Sequence, residues 1–105
     1  MEVKYVHQFK KELDKIKDNK IKRFILVSIE AIEKVGIYEM QATNDVTYIK
    51  EHDLYELRVG KKSRNYRILC ALKDNYCWLL HLFLKKTKKI EIREIKTASN
   101  RKKFI

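Results

Sequence analysis

Proline is absent from this chain, and glycine occurs only twice, at Gly36 and Gly60. Two isolated glycines cannot build a glycine-rich phosphate loop, so nucleotide-binding chemistry of that kind is excluded. The chain has no serine nucleophile elbow, and no spacing of cysteine and histidine suited to zinc. Its two cysteines, Cys70 and Cys77, read as small buried apolar residues rather than a disulfide. A turn at Asp74-Asn75 sets Leu72 opposite Cys77 and Cys70 opposite Leu79, which leaves the cysteines diagonal to one another. Cys77 with His81 is too sparse for a metal site, so neither metal nor cofactor is expected. No apolar run approaches the ~20 residues of a membrane span, and the N-terminus MEVKYVHQFKKELD has no signal-peptide centre. The expectation is a cytoplasmic protein without membrane contact.

What is abundant is positive charge. The 105 residues carry 25 Lys+Arg against 14 Asp+Glu, a net charge of +11. Residues 1–52 contribute only +1 of this and residues 53–105 contribute +10. So lopsided a balance implies a polyanionic partner, nucleic acid first. An apolar content of 45% is ordinary for a folded chain, and the length suits one domain over 1–105.

The basic half is organised around the stretch 54–87. Three apolar runs, LYELRV, YRILCAL and YCWLLHLFL, are separated by Gly60-Lys61-Lys62-Ser63 and by Lys73-Asp74-Asn75. Runs of that length, rich in Leu, Ile, Tyr, Phe and Trp, read as strands. Links of that size, with Gly, Asp and Asn, read as hairpin turns. The predicted unit is an antiparallel meander.

Ahead of it, EVKYV alternates as a short edge strand would. Phe9, Leu13 and Ile16 recur at helical spacing over about 8–18. Asp18-Asn19 ends that helix and caps a second one over about 20–35. Its apolar face holds Ile21, Phe24, Ile25, Ile29, Ile32 and Val35, widened by Leu26 and Val27, and Gly36 stands where a C-terminal glycine belongs. The two helices form a hairpin whose apolar faces need a sheet to cover them. Residues 37–53 show no sustained period and read as the longest irregular connection. After the sheet, Thr87 caps a final amphipathic helix in KKIEIREIKTASNRKKF, with Ile92, Ile95 and Ala98 as its stripe.

Candidate site residues follow from strand alternation. Glu56 and Arg58 share one face of the first run, and Arg67 shares a face with Leu69 and Ala71 in the second. Lys85 and Lys86 point to opposite sides at the end of the third, so at least one accompanies the arginines. A cation on each of three adjacent strands, beside Tyr66, makes a cradle for a phosphodiester. Simple pairing of Arg58 with Glu56 or Glu94 is the structural alternative. His52, before the first strand, is a candidate acid or base.

The series LYELR, NYRIL and LLHLFLKKT, followed by a basic amphipathic helix, resembles the RelE/HigB toxin superfamily, and within it the phage-derived HigB-like branch. The resemblance covers about half the chain closely. It implies an α+β RelE-like fold, with an N-terminal strand and helical hairpin packed on an antiparallel β-meander and a C-terminal helix. It also implies the toxin of a type II toxin–antitoxin pair, a ribosome-dependent mRNA endoribonuclease. In such enzymes the 2′-hydroxyl attacks the adjacent phosphorus without a metal. Partners so implied are mRNA on the ribosome and a cognate antitoxin of helix-turn-helix type. By motif position Arg58, Arg67, Lys85 and Lys86 fall on the family's basic site residues, and Lys61, Lys62, Arg64 and Lys88 surround them as RNA contacts. The proton acceptor stays open among His52, Tyr66 and a ribosomal group. Leu82 and Cys70 depart from the branch pattern, as does the tail, which lacks a clear Tyr or His matching a C-terminal catalytic residue. The other readings are a ParE-like toxin that binds DNA gyrase and a nucleic-acid-binding phage accessory protein.

Overall fold

The computed structural model describes residues 1–60 and 65–105. Its chain order is β1 (Glu2–Tyr5), α1 (His7–Asp14), α2 (Asn19–Val35), α3 (Ile37–Ala42), β2 (Val46–Ile49), a 3-10 turn (Lys50–His52), β3 (Leu54–Arg58), β4 (Tyr66–Lys73), β5 (Tyr76–Leu84) and α4 (Ile92–Lys102). The strands form one mixed sheet in the order β1-β5-β4-β3-β2. This is an α+β architecture compatible with a RelE-like fold.

The meander forms as its sequence predicts. Asp74 and Asn75, at φ 55° and 68°, make the two-residue turn between β4 and β5, with both residues in the left-handed region that type I′ hairpins require. The register sets Leu72 beside Cys77 and Cys70 beside Leu79. Both cysteines are free and buried. A hydrogen bond to Cys77, in which the Cys70 thiol donates, followed by burial, pushes that thiol well above its ordinary value. Strand β1 is an edge, as expected, and runs parallel to β5 with Val3 beside Cys77.

Two apolar layers cover the sheet. On one face Phe9, Ile16, Ile21, Ile25, Ile32, Ile37 and Met40, from α1 through α3, pack on Leu57, Ile68, Cys70, Cys77, Leu79 and Leu82. On the other, Ile95 and Ala98 of α4 pack on Leu54, Leu69, Ala71, Leu80 and Phe83. Each fully buried aliphatic side chain contributes about 1.5–3 kcal/mol through burial. Within the N-terminal hairpin, α1 lies chiefly on β5, while α2 packs on α3 and β1. The Asp18 carboxylate caps α2 by accepting from the amides of Lys20 (2.8 Å) and Ile21 (3.3 Å).

Four expectations need correction. Residues 37–53 are not irregular: they hold α3, β2 and the 3-10 turn. Elements of six and four residues are too short to show a period, and they are fixed instead by long-range pairing such as Val46 with Leu57. The first helix stops at Asp14, although Ile16 beyond it is still buried. The face of α2 is narrower than the sequence suggests, since Leu26, Val27 and Val35 are exposed. The last helix begins at Ile92 with Glu91 in the cap position, and Thr87 bonds the nearby Lys89 carbonyl instead. Ile92 is exposed there, outside the buried stripe.

Candidate nucleic-acid interface

Alternation along β3 sends Tyr55 and Leu57 toward the three-helix face and Leu54, Glu56 and Arg58 toward the α4 face. On β4 the same rule sends Tyr66 and Ile68 one way, and Arg67 and Leu69 the other. Strand pairing then sets Arg58 directly opposite Arg67, and Arg67 opposite Phe83. On the outer side the Arg58 amide donates to the Asp45 carbonyl at 2.9 Å. A single rung thus runs Arg58, Arg67, Phe83 across β3, β4 and β5, with Asp45, just ahead of β2, bonded to its outer end. Like charges directly opposed across a sheet cost stability, so this rung is a place where packing yields to something else.

A β-bulge decides which lysine joins it. The register passes from Cys70–Leu79 to Leu69–His81, leaving Leu80 as an extra residue in β5. Both Leu80 and His81 therefore face α4, and every later residue changes side relative to strict alternation. Phe83 and Lys85 consequently share the face of Arg67. Lys85 lies 3.8 Å from a Glu56 carboxylate oxygen, and the Arg67 Nε lies 3.5 Å from the same oxygen. The sequence-based alternative of an Arg58–Glu56 pair is not what forms. Among the described residues Arg58 makes no ion pair, and Glu94 is engaged by His81.

Glu56 lies on the face that strand alternation predicts, but its partners are Arg67 and Lys85 and not Arg58. Its Oε2 atom and the Arg67 Nε are buried without a hydrogen-bond partner, which makes the contact a charge pair rather than a formed bond. The Arg67 Nη1 donates to the Tyr66 carbonyl at 3.1 Å. Burial lowers the Arg67 guanidinium from its ordinary value, with Glu56 opposing that shift and Arg58 adding to it. The group is nevertheless a permanent cation. An anion arriving here meets arginine and lysine already partly stripped of water.

Two clefts meet at Arg67 and Asn65. One, of about 510 Å³, lies between the rung and the turn at Thr43, Asn44 and Asp45. The other, of about 360 Å³, is lined by Arg67, Lys85, Lys86, Thr87 and Lys88. The cradle expected from sequence is thus brought together for Arg58, Arg67, Lys85 and Lys86, with Lys88 beside it. Two candidates are not brought in. Tyr66 packs with the three-helix core on the opposite face. His52 is exposed in the 3-10 turn before β3, at the end of that strand away from Arg58, ~13 Å of strand rise distant. Lys61, Lys62 and Arg64 lie outside the described residues.

Below the rung is a partly buried polar cluster, centred on the buried His81, that the sequence does not reveal. His81 contacts Glu12 through Nδ1 at 2.8 Å and Glu94 through Nε2 at 2.9 Å. The other Glu12 oxygen accepts from the Leu82 amide at 3.0 Å and from Arg101 at 2.9 Å, and Arg101 also donates to the Leu80 carbonyl at 2.8 Å. Burial alone would raise the Glu12 carboxyl, but the bonds from His81, Arg101 and Leu82 outweigh it and hold the group below its usual range. This cluster ties α1 and α4 to the bulge, and His81 stacks on Phe83 with ring centres 5.1 Å apart. It therefore buttresses the far end of the arginine rung. The four members lie 69 to 89 residues apart for the Glu12 contacts, and no local pattern reveals such a set.

Among the described residues no group of three or more His, Cys, Asp or Glu is arranged to hold a metal ion. No helix of the described residues is long and apolar enough to cross a membrane. A comparison with curated proteins returns no match. A family profile described as "Phage derived protein Gp49-like (DUF891)" matches residues 11–103, which takes in the rung, both clefts and the buttress beneath them. The chain belongs to this phage-derived Gp49-like family, a toxin-like family related to RelE and HigB.

Proposed function

We propose that this protein is the toxin of a type II toxin–antitoxin pair and acts as an mRNA endoribonuclease on the ribosome. The observation that carries the reading is the arginine rung itself. Arg58 and Arg67 stand directly opposed, with Lys85 brought beside Arg67 by the bulge, and one carboxylate stands among three cations. A fold gains nothing in stability from that arrangement, whereas a phosphodiester in flight through a pentacovalent state gains a great deal.

The chemistry divides among these residues as follows. Arg67 and Lys85 hold the non-bridging phosphoryl oxygens and stabilise the charge that builds there. Arg58 positions the phosphate from the side of the larger cleft. As the phosphate draws Arg67 and Lys85 toward itself, the Glu56 oxygen that lacks a hydrogen bond is released to accept the 2′-hydroxyl proton. The 2′-oxygen then bonds to phosphorus, the bond from phosphorus to the 5′-oxygen breaks, and Lys86, in the second cleft, supplies the proton that leaves with it. The products are a 2′,3′-cyclic phosphate and a free 5′-hydroxyl. Glu56 fills the place of proton acceptor, which His52 and Tyr66 are poorly placed to take.

The partners of this reading are translated mRNA and a cognate antitoxin, whose acidic or amphipathic segment suits a half-chain of net charge +10. The test is inducible expression of wild type and Arg67→Ala, with primer extension along a reporter mRNA. New 5′ ends are expected with wild type alone, and cleavage by Arg67→Ala is expected to fall by ~100-fold or more. Growth arrest without new ends would replace this reading with a gyrase-binding toxin, and absence of arrest with an accessory protein.

A further inference from the structure

The two clefts that meet at Arg67 differ in chemistry. The smaller is lined mainly by cations, Arg67, Lys85, Lys86 and Lys88. The larger has a carboxylate, an amide and a hydroxyl along its outer wall, from Asp45, Asn44 and Thr43, and the arginines along its inner one. A carboxylate repels phosphate, so the larger cleft is unsuited to a second backbone phosphate. It offers instead what reads a base: polar acceptors at one side and a planar guanidinium, Arg58, as a stacking surface.

The outer wall is also built to hold its shape. Asn44 adopts the left-handed conformation at φ 66°, and its amide donates to the Gln41 carbonyl at 3.1 Å. The Asp45 amide donates to Met40 and the Asp45 carbonyl accepts from Arg58, both at 2.9 Å. The Thr43 hydroxyl, 3.2 Å from the Met40 carbonyl, gives its one proton to Asp45 Oδ2 at 2.7 Å. That last bond orients the carboxylate while leaving most of its lone pairs for a ligand. Because Asp45 is bonded through its backbone to Arg58, the wall is fixed relative to the rung. The cleft volume falls within the roughly 300–1,000 Å³ of small-molecule sites.

We propose that this cleft is a nucleobase subsite beside the scissile phosphate, and that it takes guanine. Guanine alone among the four bases offers two adjacent donors, N1–H and the 2-amino group, to a single carboxylate. Its ring lies on Arg58 and its Watson–Crick edge meets Asp45, with Asn44 next to the 6-oxo group. This deepens the nuclease reading and rests on the rung's being the phosphate site.

The test is an amide-resolved NMR titration of the intact protein with the four nucleoside 3′-monophosphates, inorganic phosphate and guanosine. Inorganic phosphate is expected to shift residues around Arg58, Arg67 and Lys85 and to leave Asn44 unmoved. Guanosine 3′-monophosphate is expected to shift Asn44 and Asp45 as well, and to bind about tenfold more tightly than uridine 3′-monophosphate, the lower range of a bidentate base contact. Asp45→Asn, which keeps an acceptor for Thr43, should remove most of that preference. Equal affinity for all four nucleotides, or a preference that survives in Asp45→Asn, would overturn the guanine subsite and leave the phosphate site standing. Shifts at Asn44 and Asp45 with guanosine, and none at Arg67 with phosphate, would leave a guanine-binding cleft but overturn the nuclease reading and the cleft's place beside a scissile phosphate. No shift with any probe would overturn both.

Discussion

Replacing Glu56 with glutamine separates two effects that usually travel together. The substitution keeps shape and removes one negative charge from a site holding Arg58, Arg67 and Lys85. A phosphate gripped by Arg67 and Lys85 sits ~5 Å from the carboxylate, because those cations lie 3.5 and 3.8 Å from it. At that distance, with an effective dielectric between about 20 and 80, the repulsion removed is about 1–3 kcal/mol. Anion affinity should therefore rise by ~5- to ~150-fold. Loss of a proton acceptor acts in the opposite direction on turnover, by ~100- to ~10,000-fold. Fluorescence anisotropy with a 2′-deoxy substrate analogue measures the first effect. Single-turnover cleavage of ribosome-bound mRNA measures the second. Tighter binding with slower cleavage is expected. Cleavage near the wild-type rate would remove Glu56 as the acceptor. Weaker binding would mean that Glu56 assembles the cationic cluster, and the division of roles given above would be wrong.

Three predictions concern the scaffold. Glu12→Ala strips partners from His81, Arg101 and the Leu82 amide. Breaking a fully buried pair costs about 3–5 kcal/mol, and Glu12 is partly exposed, so about 2–3 kcal/mol and a fall in Tm of ~8–20 °C are expected by calorimetry. The same carboxylate gives a pH signature. Its folded pKa is depressed, so its stabilisation is complete above the unfolded value of ~4.3 and is lost as pH falls through the lower folded value. Urea midpoints should therefore drop between pH 5 and pH 3 in wild type and drop less in Glu12→Gln. An equal drop in both would assign the acid sensitivity elsewhere. Gly36→Ala tests the joint between α2 and α3. An added Cβ meets open space there, yet φ is +85° with ψ 163°, a region other residues avoid. A loss of about 1–3 kcal/mol in denaturant unfolding is expected, and no loss would show that the joint relaxes.

Much of the architecture was legible because it is locally encoded. Asp18 and Gly36 are capping signals that act within one turn, and Asp74-Asn75 fixes the register of β4 and β5 by itself. The short elements between Ile37 and His52 were not legible, since their stability comes from Leu57, Tyr55 and Leu54 across the sheet and not from their own periodicity. Thr87 misled for a related reason. Its hydroxyl satisfied a nearer carbonyl, and the packing of Ile95 and Ala98 under the sheet set where α4 begins.

The site itself divides along the same line. Composition and alternation gave Arg58, Arg67 and a lysine pair, but could not choose between Lys85 and Lys86. Strict alternation from Cys77 and Leu79, which face the three-helix core, carries Lys85 to that core's side and Lys86 to the side of Arg67. The extra residue at Leu80 brings Lys85 to the side of Arg67 instead, and Lys86, past the end of β5, still lines the second cleft. That bulge is fixed from a distance, by Glu12 accepting from the Leu82 amide and by Arg101 donating to the Leu80 carbonyl. The geometry of the rung thus depends on a helix some 70 residues earlier in the chain and on another about 20 residues later. A Glu12 variant that still folds should accordingly lose cleavage beyond its loss of stability, because β5 can then pair without the bulge and turn Lys85 away from Arg67. Hydrogen exchange of the Leu82 amide, measured beside cleavage in Glu12→Gln, decides the matter. Protection and activity falling together would support the dependence, and lost protection with full activity would refute it.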